Sequence, residues 1–172
     1  MKIVLLGYMA SGKTTIGKVL SEKLFLPLID LDKYIAEKEK LSISDIFKNK
    51  GEIYFRKIEH QYLKELLSLK DKFILSLGGG TPCYAGNMDL ISQNEDVISI
   101  YLDANIPTIV ERLKKGKKRR PLVASLSDEK LTEFVAKHLF ERRNFYNLAN
   151  HRVSVTNKSL SNVVTEIRIL LH

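Results

Sequence analysis

The sequence has no tryptophan, one cysteine and four prolines, and no apolar run approaching the roughly 18 residues that a membrane-crossing helix needs. Each scarcity excludes something. Cys83 alone cannot form an intramolecular disulfide, and His60, His138, His151 and His172 have no metal-ligand spacing with it or with one another, so zinc chemistry is not expected. A secretory signal is also missing: Met1 and Lys2 lead through a short apolar stretch straight into a glycine-rich segment with no cleavage pattern, which predicts a cytoplasmic protein. Acidic residues are outnumbered, 20 against 28 Lys and Arg, for a net charge of +8. Such a balance serves nucleic acid, anionic lipid or anionic small molecules, and charge alone does not choose among them. The densest basic cluster, Lys114, Lys115, Lys117, Lys118, Arg119 and Arg120, reads first as a solvated surface segment.

A chain of 172 residues can bury one substantial core and is short for two, which predicts a single domain over 1–172. Residues 2–6 are nearly all apolar, as in a strand buried on both faces of a parallel sheet. Further strands are expected over about 27–30, 72–77, 97–102 and 152–155. Between them lie helical stripes. They are Ile16, Val19, Leu20 and Leu24; Phe55, Ile58, Tyr62 and Leu66; Ile106, Ile109, Val110 and Leu113; a stretch at about 128–147; and Leu160, Val163, Val164, Ile167 and Leu170. Ser42 with Asp45 has the form of a helix N-cap. The alternation predicts an α/β fold whose ligands bind at the carboxyl ends of the strands.

Gly7-Tyr8-Met9-Ala10-Ser11-Gly12-Lys13-Thr14 fits glycine, four residues, glycine, lysine and a hydroxyl residue, between a predicted strand and a predicted helix. The chemistry needs these types. Glycine lets backbone N–H groups approach phosphate oxygens, the helix N-terminus adds positive charge, Lys13 reaches the outer phosphates, and the Thr14 hydroxyl binds Mg²⁺. Neither an Asp-x-x-Gly switch nor a full guanine-reading motif is present, since Asn157-Lys158-Ser159-Leu160 lacks the aspartate. A GTPase is therefore disfavoured.

Asp30 and Asp32 close the second strand, near the phosphate loop at the sheet's carboxyl edge. One could orient Mg²⁺ through water and the other hold an acceptor hydroxyl, although Asp32 could equally cap the next helix. Arg56 and Glu59 share a helix face with Glu52 and Phe55 behind Gly51. The pair is either a surface ion pair or a guanidinium preset to grip a substrate carboxylate. Gly78-Gly79-Gly80 permits close approach of backbone to ligand, or makes a tight turn.

In order, the phosphate loop, Asp30-Leu31-Asp32, the Gly51-to-Glu59 pattern, the triple glycine, Arg120-Pro121-Leu122 and Arg142 with Tyr146 resemble shikimate kinase across nearly the whole chain. The resemblance implies a three-layer P-loop kinase with a five-stranded parallel sheet, transferring the γ-phosphoryl group of ATP to the 3-hydroxyl of shikimate. It implies a monomer acting on small molecules, without nucleic acid or membrane. ATP would be held by Gly7, Ala10, Ser11, Gly12, Lys13, Thr14 and Thr15, with Arg112 stacked on adenine. Mg²⁺ would sit at Thr14 and Asp30. Asp32 would contact the acceptor hydroxyl as base, at an ordinary carboxylate pKa, while Arg56 and Arg142 bind the carboxylate, with Glu59, Gly78, Gly79 and Gly80 in the same pocket. The substrate segment would span about 31–60, and a mobile lid over about 114–125 would bring Arg120 to the transferring group. Ala10 replaces a frequent glycine, which the loop accommodates if its φ is negative. A gluconate or nucleotide kinase of the same fold is the nearest rival, and a nucleic-acid-binding ATPase a more distant one.

Overall fold

The computed structural model describes residues 1–116 and 121–172. Five parallel strands form one sheet in the order β2-β3-β1-β4-β5. In chain order these are β1 (Lys2–Leu6), β2 (Leu28–Asp30), β3 (Ile74–Ser76), β4 (Val97–Asp103) and β5 (His151–Ser154). All five lie within a residue or two of the positions that the apolar runs predict. The central strand explains its own composition: Ile3, Val4, Leu5 and Leu6 are each 0% exposed, between β3 on one side and β4 on the other.

The helices are α1 (Lys13–Leu24), α2 (Leu31–Glu39), α3 (Ile43–Ser68), α4 (Asn87–Ser92), α5 (Ile106–Gly116), α6 (Pro121–Ala124), α7 (Asp128–Tyr146) and α8 (Leu160–Leu170). The predicted stripes face inward, with Ile16 and Leu20, Phe55, Ile58 and Leu66, and Ile109 and Leu113 all buried. Capping follows the local sequence. Ser42 Oγ accepts from the Asp45 N–H at 3.0 Å, and Ser127 and Ser159 cap α7 and α8 in the same way. Short α4 and a 3₁₀ turn at Thr81–Cys83 carry too few residues for a readable periodicity and are not among the expected elements.

Strand order decides what meets at the carboxyl edge. Leu5 of β1 is level with Ser76 of β3, and Ser76 with Asp30 of β2, so three segments emerge side by side. These are the phosphate loop after β1, the triple glycine after β3, and Asp30 to Asp32 after β2.

Helix α3 is bent where Gly51 adopts φ 82° and ψ 172°, which separates an outer segment from the one carrying Arg56 and Glu59. A methyl group at Gly51 would meet nothing within 4 Å, so any penalty there is backbone strain alone. Gly51→Ala should lower stability by about 1–3 kcal/mol, read as a reduced midpoint in urea. An unchanged midpoint would show that the bend is not held in the Gly-only region.

Candidate active site

The phosphate loop runs from Gly7 into the first turn of α1. Gly7 has φ 148°, and a side chain there would strike the Leu102 carbonyl at 2.7 Å and Ser11 Oγ at 2.9 Å. Gly12, at φ 97°, is the left-handed N-cap that turns the loop into the helix. Ala10 departs from expectation: its φ is +62°, not negative, so an L-residue occupies a left-handed position that glycine would fill without strain. Its carbonyl accepts from Arg112 Nη1 at 2.9 Å, which ties the loop to α5 in that conformation. Lys13 Nζ donates to the Gly7 and Tyr8 carbonyls at 2.7 and 3.0 Å, which draws its charge back over the loop. Ser11 is buried, its hydroxyl without a hydrogen-bond partner, while Thr14 and Thr15 are exposed at the start of the helix.

A cleft of about 420 Å³ opens beside this loop, lined on one side by residues 10–16 and on the other by Arg112, Val155, Lys158, Leu160 and Val163. Arg112 thus lines the same cleft as the phosphate loop. Sequence reasoning missed the rest of that far wall, meeting Lys158 only in a failed guanine motif and Leu160 and Val163 only in a helical stripe. The segment follows β5, so the rule that ligands gather at strand ends could have flagged it.

The segment after β3 is built around the triple glycine, and each glycine admits a different side chain. A methyl group on Gly78 would lie 3.2 Å from Asp32 Oδ1; on Gly79, 3.5 Å from Arg142 Nη1 and 3.4 Å from the Met9 nitrogen; on Gly80, 2.8 Å from Arg56 Nη2. The structure thus brings Asp32, Arg142 and Arg56 onto three consecutive residues beside the phosphate loop. Of the adjacent arginines, Arg142 is the one against Gly79, with its guanidinium carbon 5.7 Å from the Tyr8 ring centroid. Tyr146, one turn on, donates to the Gly79 carbonyl at 2.5 Å.

Arg56 and Glu59 are not a surface pair. Glu59 is 1% exposed, accepting from Arg56 Nη1 at 2.9 Å and from Thr81 Oγ1 at 2.7 Å. The Arg56 guanidinium also lies 3.9 Å from the Tyr84 ring centroid. Thr81 and Tyr84 were not anticipated, because their partners are far away in sequence. Burial pushes the nearby Cys83 thiol up to about 11, against Arg142 and Arg56, which keeps it an inert small residue.

The two aspartates divide their duties differently from the capping alternative. Asp30, not Asp32, caps α2, accepting from the Lys33 N–H at 3.2 Å. Asp32 lies instead against Gly78, and its carboxyl is pushed up to about 6 rather than keeping an ordinary value: burial is the largest cause, Asp30 and Glu59 add to it, and Lys13 and Arg56 oppose it. Among the described residues no cluster of three or more His, Cys, Asp or Glu could hold a metal by itself. The available donors, a threonine hydroxyl and a carboxylate, suit a hard, hydrated divalent cation completed by phosphate oxygens. In the basic cluster, Lys114 pairs with Asp128 at 3.3 Å and Lys115 with Glu111 at 2.9 Å, both on the surface. Lys117, Lys118, Arg119 and Arg120, the core of the predicted lid, lie outside the described residues.

A carboxyl group whose pKa rises from 3.8 to about 6 on folding makes its charged form a burden on the native state. The burden is absent below the unfolded value, grows as pH rises through about 6, and reaches at most about 3 kcal/mol above it. Asp32→Asn should therefore raise the melting temperature at pH 8 and leave it nearly unchanged at pH 4. Equal shifts at both values would mean that the carboxylate is not destabilised.

The chain has close counterparts in sequence and in fold. The shikimate kinase family model matches residues 9–171. A shikimate kinase of Flavobacterium psychrophilum is 51% identical over 170 residues, covering 99% of this chain and 98% of that one. The crystal structure of shikimate kinase from Bacteroides thetaiotaomicron superposes with a TM-score of 0.91 at 31% identity, over 99% of this chain and 98% of that one. Shikimate kinase from Acinetobacter baumannii in complex with shikimate gives 0.86 at 30% identity, over 99% and 92%. With a phosphate loop, a buried carboxylate and two arginines gathered on one glycine turn in a fold shared over its whole length, the chain belongs to the shikimate kinase family.

Proposed function

We propose that this protein transfers the γ-phosphoryl group of ATP to the 3-hydroxyl of shikimate, yielding shikimate 3-phosphate and ADP. The observation that carries the reading is the convergence of Asp32, Arg142 and Arg56 on Gly78, Gly79 and Gly80, beside a loop built for phosphate. Two guanidiniums suit one carboxylate, and one carboxylate close to them suits one hydroxyl.

ATP lies in the cleft beside α1, with its phosphates on the backbone of Gly7 to Thr15 and its base toward Arg112. Arg56 and Arg142 hold the acceptor's carboxylate, and Glu59 holds Arg56. The acceptor hydroxyl then faces Asp32. As its oxygen bonds to the γ-phosphorus and the bond to the bridging oxygen of ADP breaks, the hydroxyl proton passes to Asp32. A carboxyl group near 6 remains mostly ionised at neutral pH and is a better proton acceptor than an ordinary aspartate. Phosphoryl transfer of this kind depends chiefly on positioning and charge neutralisation, which Lys13 and the arginines supply. The Thr14 hydroxyl and, through water, Asp30 would hold Mg²⁺, which would supply positive charge against that of the phosphates. Arg120 would add positive charge from a lid over about 114–125, closing on a substrate segment over about 31–60, all within one domain. Arg120 itself lies outside the described residues.

We infer a cytoplasmic monomer that needs neither nucleic acid nor membrane; among the described residues no helix is long and apolar enough to cross a bilayer. The direct test is ADP release with shikimate, gluconate and a panel of nucleoside monophosphates in the presence of Mg²⁺. Turnover should appear with shikimate alone, and none with shikimate would overturn the reading. Gly80 gives a sharper test, because its φ of −89° suits any L-residue and only space is at issue. Gly80→Ala should cut kcat/KM for shikimate by roughly ten- to a hundredfold through displacement of Arg56, with the KM for ATP and the melting temperature little changed. Unaltered shikimate kinetics would remove the Arg56 contact from the pocket.

A further inference from the structure

Beneath the triple glycine lies a closed ring of hydrogen bonds that phosphoryl transfer does not use directly. Glu59 spends both carboxylate oxygens: Oε1 accepts from Arg56 Nη1 at 2.9 Å and Oε2 from Thr81 Oγ1 at 2.7 Å. The Thr81 carbonyl accepts from Asn87 Nδ2 at 2.8 Å, and Asn87 Oδ1 stands 2.7 Å from Nδ1 of His60, the residue after Glu59 on α3. The ring therefore leaves α3 at Glu59 and returns to it at His60. Glu59, Thr81 and Asn87 are at most 1% exposed, so water cannot replace any lost partner. A buried carboxylate with one donor removed must re-aim or become undersolvated, and Arg56 is its other partner.

We propose that Thr81, acting through Glu59, is a positioning residue that sets the angle at which Arg56 meets the acceptor's carboxylate, with Asn87 and His60 holding Thr81 in register. The inference rests on the reading of Arg56 as a carboxylate-binding group. Both the removal of its contact with Glu59 and its displacement from Gly80 would spoil a two-pronged bond, whose strength depends on the planes of the two groups. Neither change would disturb the phosphate loop, which Thr81 does not touch.

The test is a double-mutant cycle of Thr81→Val and Arg56→Ala, with Thr81→Ser as the conservative variant that restores the hydroxyl. Thr81→Val should raise the KM for shikimate roughly tenfold, leave the KM for ATP within about twofold, and have almost no further effect when Arg56 is already alanine. Thr81→Ser should recover most of the affinity. With the methyl ester of shikimate, which lacks the anionic carboxylate, wild type and Thr81→Val should perform alike. If Arg56→Ala leaves the shikimate KM unchanged, the reading of Arg56 fails. If Arg56→Ala raises it but Thr81→Val does not, or if the two effects multiply, the role of Thr81 fails while that of Arg56 stands. Should Thr81→Val not fold, Thr81→Ala and the serine variant decide the question by the same measurements.

Discussion

Three missing side chains hold this site together. At the carboxyl end of β3 the backbone must pass within contact distance of a carboxylate and two guanidiniums, and a methyl group at Gly80 would already lie 2.8 Å from one of them. Close approach matters because the strength of a charged hydrogen bond falls steeply with distance and misalignment. A loop with side chains would push Asp32, Arg56 and Arg142 away from the turn and from one another. The sheet order supplies the other half of the constraint, since β3 lies between β2, which delivers Asp32, and β1, which delivers the phosphate loop.

Gathering charge in this way has electrostatic consequences. Asp32 has Asp30 and Glu59 nearby and little water, and its carboxyl rises to about 6 despite Lys13 and Arg56. Glu59 is more buried still, yet both its oxygens are bonded, one to a cation and one to a hydroxyl. The two carboxylates illustrate opposite solutions to burial. One is satisfied by two donors; the other is desolvated and flanked by like charge, which raises its affinity for a proton. Evolution need not place an unusual residue type at either position to obtain the difference.

Much of this was legible in the sequence, for identifiable reasons. A phosphate loop occupies consecutive residues, so its signal is local, and the five strands announced themselves as short apolar runs because both faces of a parallel sheet are covered. Glu59 was visible as a neighbour of Arg56, but its burial was not, since helical spacing reports which residues share a face and not what covers that face. Thr81, Asn87 and the far wall of the cleft at Val155, Lys158, Leu160 and Val163 were invisible for a related reason. Their meaning lies in partners from 6 to more than 100 residues away, brought together only by the crossovers of the sheet. Ala10 shows the converse limit. Its left-handed φ runs against local preference, and the Arg112 bond to its carbonyl is a long-range contact that no local propensity could include.

Helix α7 relates the two halves of the site. Arg142 lies over the Tyr8 ring and against Gly79, His138 Nδ1 is 3.1 Å from the Tyr8 hydroxyl one turn earlier, and Tyr146 reaches the Gly79 carbonyl one turn later. One rigid element therefore touches the phosphate loop and the glycine turn at three successive turns. The spacing between these two loops is consequently fixed in part by the packing of α7 on both. On the proposed reading, a closing segment would exclude water and add charge without having to bring these two loops into register.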